Sequence, residues 1–311
     1  MAEAPRPSSE AARTATGQPL VGLGWMVLTG LCFVGVQATV KALGDAVPAP
    51  EAAFLRYALG LVFVLPMLRG LRAARLTSRD WTLFGMRGVV HGIGVIFWFY
   101  AMTRIPIAEV TAINYLAPVV VTLGAVLFLG ERMAARRIGA VIVALVGALV
   151  ILRPGLRTLD PGHLAMLVTA GSFGASYLLA KSLSGRFPAD VVVALLSLIV
   201  PVVLLPVAVA QWVTPGPAAL AGLLLVAAFA TAGHYTMTLA FRAAPVSVTQ
   251  PAVFLQLVWS VLVGFLVFGE PVDPFVVLGG AIVVAAVSFI ALREQQLKRR
   301  ALTPNPLQTK S

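Results

Sequence analysis

Charge is what this chain has least of. Lysine, arginine, aspartate and glutamate make up 11% of its 311 residues, where a soluble domain carries about a quarter. With 59% hydrophobic residues and a mean hydropathy of +0.94, that scarcity excludes an ordinary soluble fold and describes a polytopic membrane protein. Acids are rarer than bases, 12 against 23, and none falls in the middle of an apolar run, which argues against a midplane carboxylate proton relay. Proton coupling would then rest on His91, His234 or a helix-end glutamate. The net charge of +11 does not point to nucleic acid, because the arginines lie in short clusters between apolar runs. Cysteine occurs once, as Cys32, so no internal disulfide forms, and the residue reads as small packing. Also missing are a P-loop, HExxH, a GxSxG elbow and any Cys/His metal spacing. No cofactor, metal or catalytic residue is expected, and ATP drive would need another subunit. An integral-membrane enzyme is the rival class, and it lacks a carboxylate cluster.

What is present is apolar length. A bilayer core takes about 20 residues per helix, and by that ruler the chain holds ten spans: Leu20–Leu43, Ala52–Leu68, Phe84–Met102, Ile107–Leu129, Ile138–Leu152, His163–Lys181, Val191–Val213, Ala218–Phe241, Val246–Phe268 and Pro274–Leu292. The polar residues 1–19 show no signal peptide or lipid-anchor pattern, and residues 293–311 read as a solvated tail. Pro201 and Pro206 fall inside the seventh span, a placement that membrane helices tolerate.

The chain repeats itself. Ala101–Glu131 realigns on Ala240–Glu270 without a gap, at an offset of 139 that matches Pro106 with Pro245, Gly130 with Gly269 and Glu131 with Glu270. Gly94 and Gly233, and Gly35 and Gly174, keep that offset, while Phe33 and Phe173 lie 140 apart. Two halves are expected, 20–155 and 156–292, each of five spans. An odd count inserts the second half the other way up, as in inverted-repeat transporters. Of the 23 basic residues, 17 fall on the side that holds both termini, which predicts both ends inside.

The string of Ala101, Pro106, Tyr115-Leu116-Ala117-Pro118-Val119 and Gly130-Glu131-Arg132, continuing through Gly139 and Gly147 to Leu152-Arg153-Pro154-Gly155, resembles the EamA-type domain of the drug/metabolite transporter superfamily. The resemblance covers both halves. It implies an all-α carrier of ten helices in the bacterial inner membrane, with a cavity between the halves. Small amphipathic metabolites, namely amino acids or derivatives, drugs and nucleoside-like cofactors, are the implied substrates. Membrane lipid and the small molecule are the expected partners, with oligomeric state left open and a monomer among the options. The second copy departs from the pattern at Leu257, which stands where the first has Pro118.

Polar residues inside spans are costly in lipid unless they face a cavity or a partner. Thr111, Asn114, Pro118 and Thr122 form one helical stripe, beside Tyr115; Thr169, Ser172 and Ser176, next to Tyr177, form a second; Thr231, His234 and Thr238 form a third. They either line a cavity or let helices pack closely. The substrate-binding candidates are Gln37, His91, Trp98, Asn114, Tyr115, Ser176, Tyr177, His234, Gln256 and Trp259. Trp98 shares the face of His91, and Trp259 that of Gln256, so aromatic walls would suit a flat ring or a cation. Glu131 and Glu270 read as helix-end or gating residues, and Pro118 as a mid-helix proline that frees a carbonyl or packs as a kink. Lys41 and Arg56 either attract a substrate carboxylate or phosphate, or pair with Glu51 and Asp45 as interface anchors.

Overall fold

A computed structural model describes residues 19–129, 135–156, 158–184, 186–243, 252 and 255–302. Among them lie twelve α-helices and no strand: α1 (Pro19–Leu43), α2 (Ala49–Gly60), α3 (Leu68–Ala73), α4 (Ser78–Arg104), α5 (Ile107–Asn114), α6 (Ala117–Leu129), α7 (Ala135–Leu152), α8 (Pro161–Ser184), α9 (Ala189–Ala210), α10 (Pro217–Ala243), α11 (Leu255–Phe268) and α12 (Pro274–Leu302). Proline opens many of them: it sits first in α1, α8, α10 and α12 and just before α2, α5 and α9. At a helix start its missing N–H has no partner to lose. The α4 start is a capping box, with Asp80 N donating to Thr77 Oγ1 (3.3 Å) and Thr77 N donating to Asp80 Oδ2 (2.9 Å).

Among the described residues, five segments are long and apolar enough to cross a membrane: Leu20–Ala46, Ser78–Arg104, Pro161–Ala180, Asp190–Ala210 and Pro217–Met237. Shorter apolar helices cover Ile107–Val121, Ile138–Leu152, Leu255–Phe268 and Pro274–Phe289. Two expected spans are broken. The second changes from α-helix to a 3-10 stretch over Leu61–Met67 before α3. The fourth unwinds at Tyr115–Leu116, so Pro118 stands in the first turn of α6 instead of mid-helix. There it lacks nothing, since Val119 N and Val120 N bond back to Leu116 O at 2.9 and 3.2 Å. Pro201 and Pro206 lie within α9 as expected, and α12 runs ten residues beyond Leu292, where a tail was expected.

The packing repeats along with the sequence. α1 packs on α10 and α4 on α8, while α7 packs on α12. A Cβ on Gly94 would lie 2.7 Å from the Phe173 ring, and one on Gly233 3.4 Å from the Phe33 ring. Repeat-equivalent glycines thus receive repeat-equivalent phenylalanines. At the α7/α12 crossing Gly147 and Gly279 meet backbone to backbone, since a Cβ on either would fall within 2.8 Å of the other's carbonyl oxygen.

Candidate functional site

His91 lies on α4 where α2 and α8 close over it. Its Nε2 pairs with the Tyr57 hydroxyl at 2.8 Å and its Nδ1 with Ser176 Oγ at 3.1 Å. Its ring stacks on Phe173, with centroids 5.0 Å apart and planes at 27°. Trp98, two turns along α4, packs edge-on against Phe173, and its Nε1 is buried without a hydrogen-bond partner. Tyr177 leans on Phe173 from the other side and is 45% exposed. His234 on α10 is exposed as well and sets its ring edge-on to Phe33 at 5.3 Å. Arg87 lies near enough to act electrostatically on both residues, and Arg56 on His234. These aromatic and imidazole groups come from three helices of the first half, α1, α2 and α4, and two of the second, α8 and α10.

Two arginines stand beside that wall. Arg56 is 7% exposed and lays its guanidinium 4.3 Å over the Tyr57 ring. Arg87, equally buried, donates through Nη1 to Val192 O at 2.9 Å. Both act electrostatically on His91. Arg56 forms no ion pair with Glu51 or Asp45, so the interface-anchor reading fails for it: Glu51 Oε2 accepts instead from Val213 N at 2.9 Å.

A second polar group surrounds the break in the fourth span. Thr111 Oγ1 donates to Gln37 Oε1 at 2.9 Å and lies 2.6 Å from Ser260 Oγ, joining α1, α5 and α11. Asn114 at the end of α5 has a buried Oδ1 that accepts no hydrogen bond, and Trp259 Nε1 is likewise unpaired. Tyr115 bonds the backbone of Leu257. Gln256 packs against Gly30, whose Cβ would be 3.4 Å from its own.

A third group joins the ends of α1, α5 and α11. Glu270 follows Gly269, whose φ of +64° turns the chain out of α11. Its Oε2 accepts from Ile107 N at 2.9 Å, capping α5, and its Oε1 lies 2.6 Å from Lys41 Nζ. That second contact is an ion pair without hydrogen-bond alignment, because Oε1 accepts no hydrogen bond. Lys41 donates instead to Ile105 O at 2.9 Å, so it too is no partner of Asp45 or Glu51. Nearby Glu109 Oε2 meets His163 Nε2 at 2.5 Å, and Arg153 pairs with Asp273.

The EamA-like transporter family model matches residues 20–153 and again 160–292, nearly the whole of both halves. The chain belongs to the EamA-like transporter family. Within that family it is similar to a riboflavin transporter of Rhizobium johnstonii, 34% identical over 90% of this chain and 94% of the relative. A riboflavin transporter of Vibrio cholerae is 33% identical over 91% and 96%. An S-adenosylmethionine uptake transporter of Rickettsia felis is 26% identical over 90% and 96%. A solved crystal structure, 18% identical, superposes with a TM-score of 0.56 over 90% of this chain and 98% of the other, which shows the fold alone. This EamA protein is accordingly a membrane transporter of small metabolites.

Of the residues expected at the site, the structure gathers His91, Trp98, Ser176, Tyr177 and His234 at the aromatic wall. It places Gln37, Asn114, Tyr115, Gln256 and Trp259 around the broken span. Glu131 lies outside the described residues, as do the side chains of Thr122 and Thr238. Thr169 and Thr231 bond carbonyls one turn back, at 2.9 and 2.8 Å, and serve packing. Sequence reasoning missed Tyr57, Phe173, Arg87 and Ser260. Phe173 carried the available signal, since it shares a repeat offset with Phe33.

Proposed function

We propose that this EamA transporter carries a flat heteroaromatic metabolite of nucleoside or flavin size, and that it does so by alternating access of one half against the other. The observation that carries the reading is the cluster of Phe173, His91, Trp98 and Tyr177 at the junction of the halves. A planar ring slides onto such a wall at about 0.5–1.5 kcal/mol per aromatic contact, and the donors and acceptors left unpaired at Trp98, Asn114 and Trp259 suit ring heteroatoms. Relatives named for riboflavin and S-adenosylmethionine support the same class.

The finer topology belongs to this proposal. Ten spans follow if α2 with α3, and α5 with α6, each cross as one broken helix; both termini then share the cytoplasmic face, and the Glu270 end faces outward. The protein acts without catalysis. The test is counterflow in proteoliposomes with riboflavin, S-adenosylmethionine, adenosine, tryptophan, leucine and glucose read by mass spectrometry, with His91→Ala as control. Ring compounds should accumulate and the control should lose them. Accumulation of leucine or glucose alone would sink the reading.

A further inference from the structure

Arg56 and Arg87 have no charged counterpart in the second half. At the repeat offsets of 139 and 140 the positions equivalent to Arg56 are Leu195 and Leu196, and the position equivalent to Arg87 is Val226. Leu195 and Val226 are buried aliphatics, so the second half packs the same helices without charge. Two guanidinium groups inside a bilayer protein are costly, and such groups ordinarily find a carboxylate or mark a ligand path. Here neither has a carboxylate partner among the described residues. Arg56 is more than nine-tenths buried, with Nε and Nη1 unpaired, and Arg87 has used only Nη1, leaving Nε unpaired. Both lie near enough to act on His91 and His234, and Arg87 also on Tyr57 and Tyr177. Arg56 moreover rests on the ring whose hydroxyl holds His91.

We infer that Arg56 and Arg87 are the receptor for an oxyanion, a carboxylate or a phosphate, borne by the transported ring compound. The inference rests on the flat-ring reading above and adds a charge requirement to it. Planar guanidinium forks fit a carboxylate or phosphate oxygen pair, which a neutral hydroxyl cannot replace. Because both arginines belong to the first half, the substrate's anionic end is turned toward α2 and α4, with its ring on Phe173.

The test is binding to the purified full-length protein in nanodiscs with matched pairs that differ in one oxyanion: riboflavin against riboflavin 5′-phosphate, adenosine against adenosine monophosphate, and tryptophol against indole-3-acetate. The carboxylate and phosphate arms separate the two oxyanions, and inorganic phosphate serves as competitor. At least one anionic member is expected to bind about tenfold or more tightly than its neutral partner. Arg56→Gln and Arg87→Gln should each bring that ratio toward one by weakening the anionic member more than the neutral one. Arg56→Lys, which keeps the charge but not the fork, should fall between. Equal binding of both members in every pair overturns this inference alone, as does an equal loss of both members in the variants. Binding of no ring compound at all overturns the flat-ring reading, and this one with it.

Discussion

Glu270 is the place where a small change should move the whole molecule. It holds α5 by the Ile107 amide at 2.9 Å and α1 by Lys41 at 2.6 Å, so it ties α11 of the second half to two helices of the first. The two side chains are 11% and 17% exposed. At this distance and an effective dielectric of about 20 the gross attraction is about 6 kcal/mol, most of it offset by desolvation. Losing one partner of such a pair costs about 2 kcal/mol, between the values for exposed and fully buried pairs. Glu270→Gln keeps an oxygen for Ile107 N but loses the charge, so it should favour opening of this end about 30-fold. Glu270→Ala also strips the cap, worth about 1 kcal/mol more, for a total of about 150-fold. Pulsed electron spin resonance between labels at Asp45→Cys and Val272→Cys, in a Cys32→Ser background, reads the opening directly. Both labelled positions are exposed at this end. The long-distance population should rise in the order wild type, Gln, Ala. If both variants fold and show the wild-type distribution, Glu270 holds nothing shut and the reasoning is wrong.

Three further outcomes follow from the contacts. Tyr57→Phe and Ser176→Ala each remove one hydrogen bond from His91, which should raise the counterflow KM about fivefold apiece, at about 1 kcal/mol per bond, with protein yield unchanged. Thr111→Val strands Gln37 Oε1 in a buried site and should cost about 1–3 kcal/mol, read as a lower melting temperature in detergent. Gly279→Ala forces a methyl to within 2.6 Å of Gly147 O and should destabilise by about 1–3 kcal/mol. Gly24→Ala, inside α1 where nothing lies within 4 Å of the added carbon, should not lower the melting temperature.

The duplication and the all-helical class were legible because each rests on a period or an offset. Depth and long-range partners were not. Arg56 looks the same in sequence whether it anchors at an interface or lies inside. What separates the two is that Glu51 turns away to Val213 N, 162 residues distant. The break at Tyr115–Leu116 precedes Pro118 by a few residues because the proline takes the first turn of a new helix, where its ring fits, in preference to kinking the old one. Glu270 was readable as a helix-end acid, while its partner Ile107 sits 163 residues away.

The histidines show how a weak repeat signal becomes a strong one in three dimensions. His91 and His234 lie 143 residues apart, four more than the offset of 139, so as aligned residues they do not correspond. Four residues are close to one helical turn, however, and return a side chain to the same face. Each histidine therefore meets the phenylalanine of the repeat-related helix: His91 stacks on Phe173 and His234 sets its edge to Phe33. The duplication has thus kept a face and a ring contact while the position slipped by a turn. The two histidines differ in burial: His91 is buried, with Tyr57 and Ser176 holding both its nitrogens, whereas His234 is exposed. One half supplies a fixed imidazole beside two arginines and the other a more accessible imidazole, an asymmetry suited to a substrate with a charged end and a ring end.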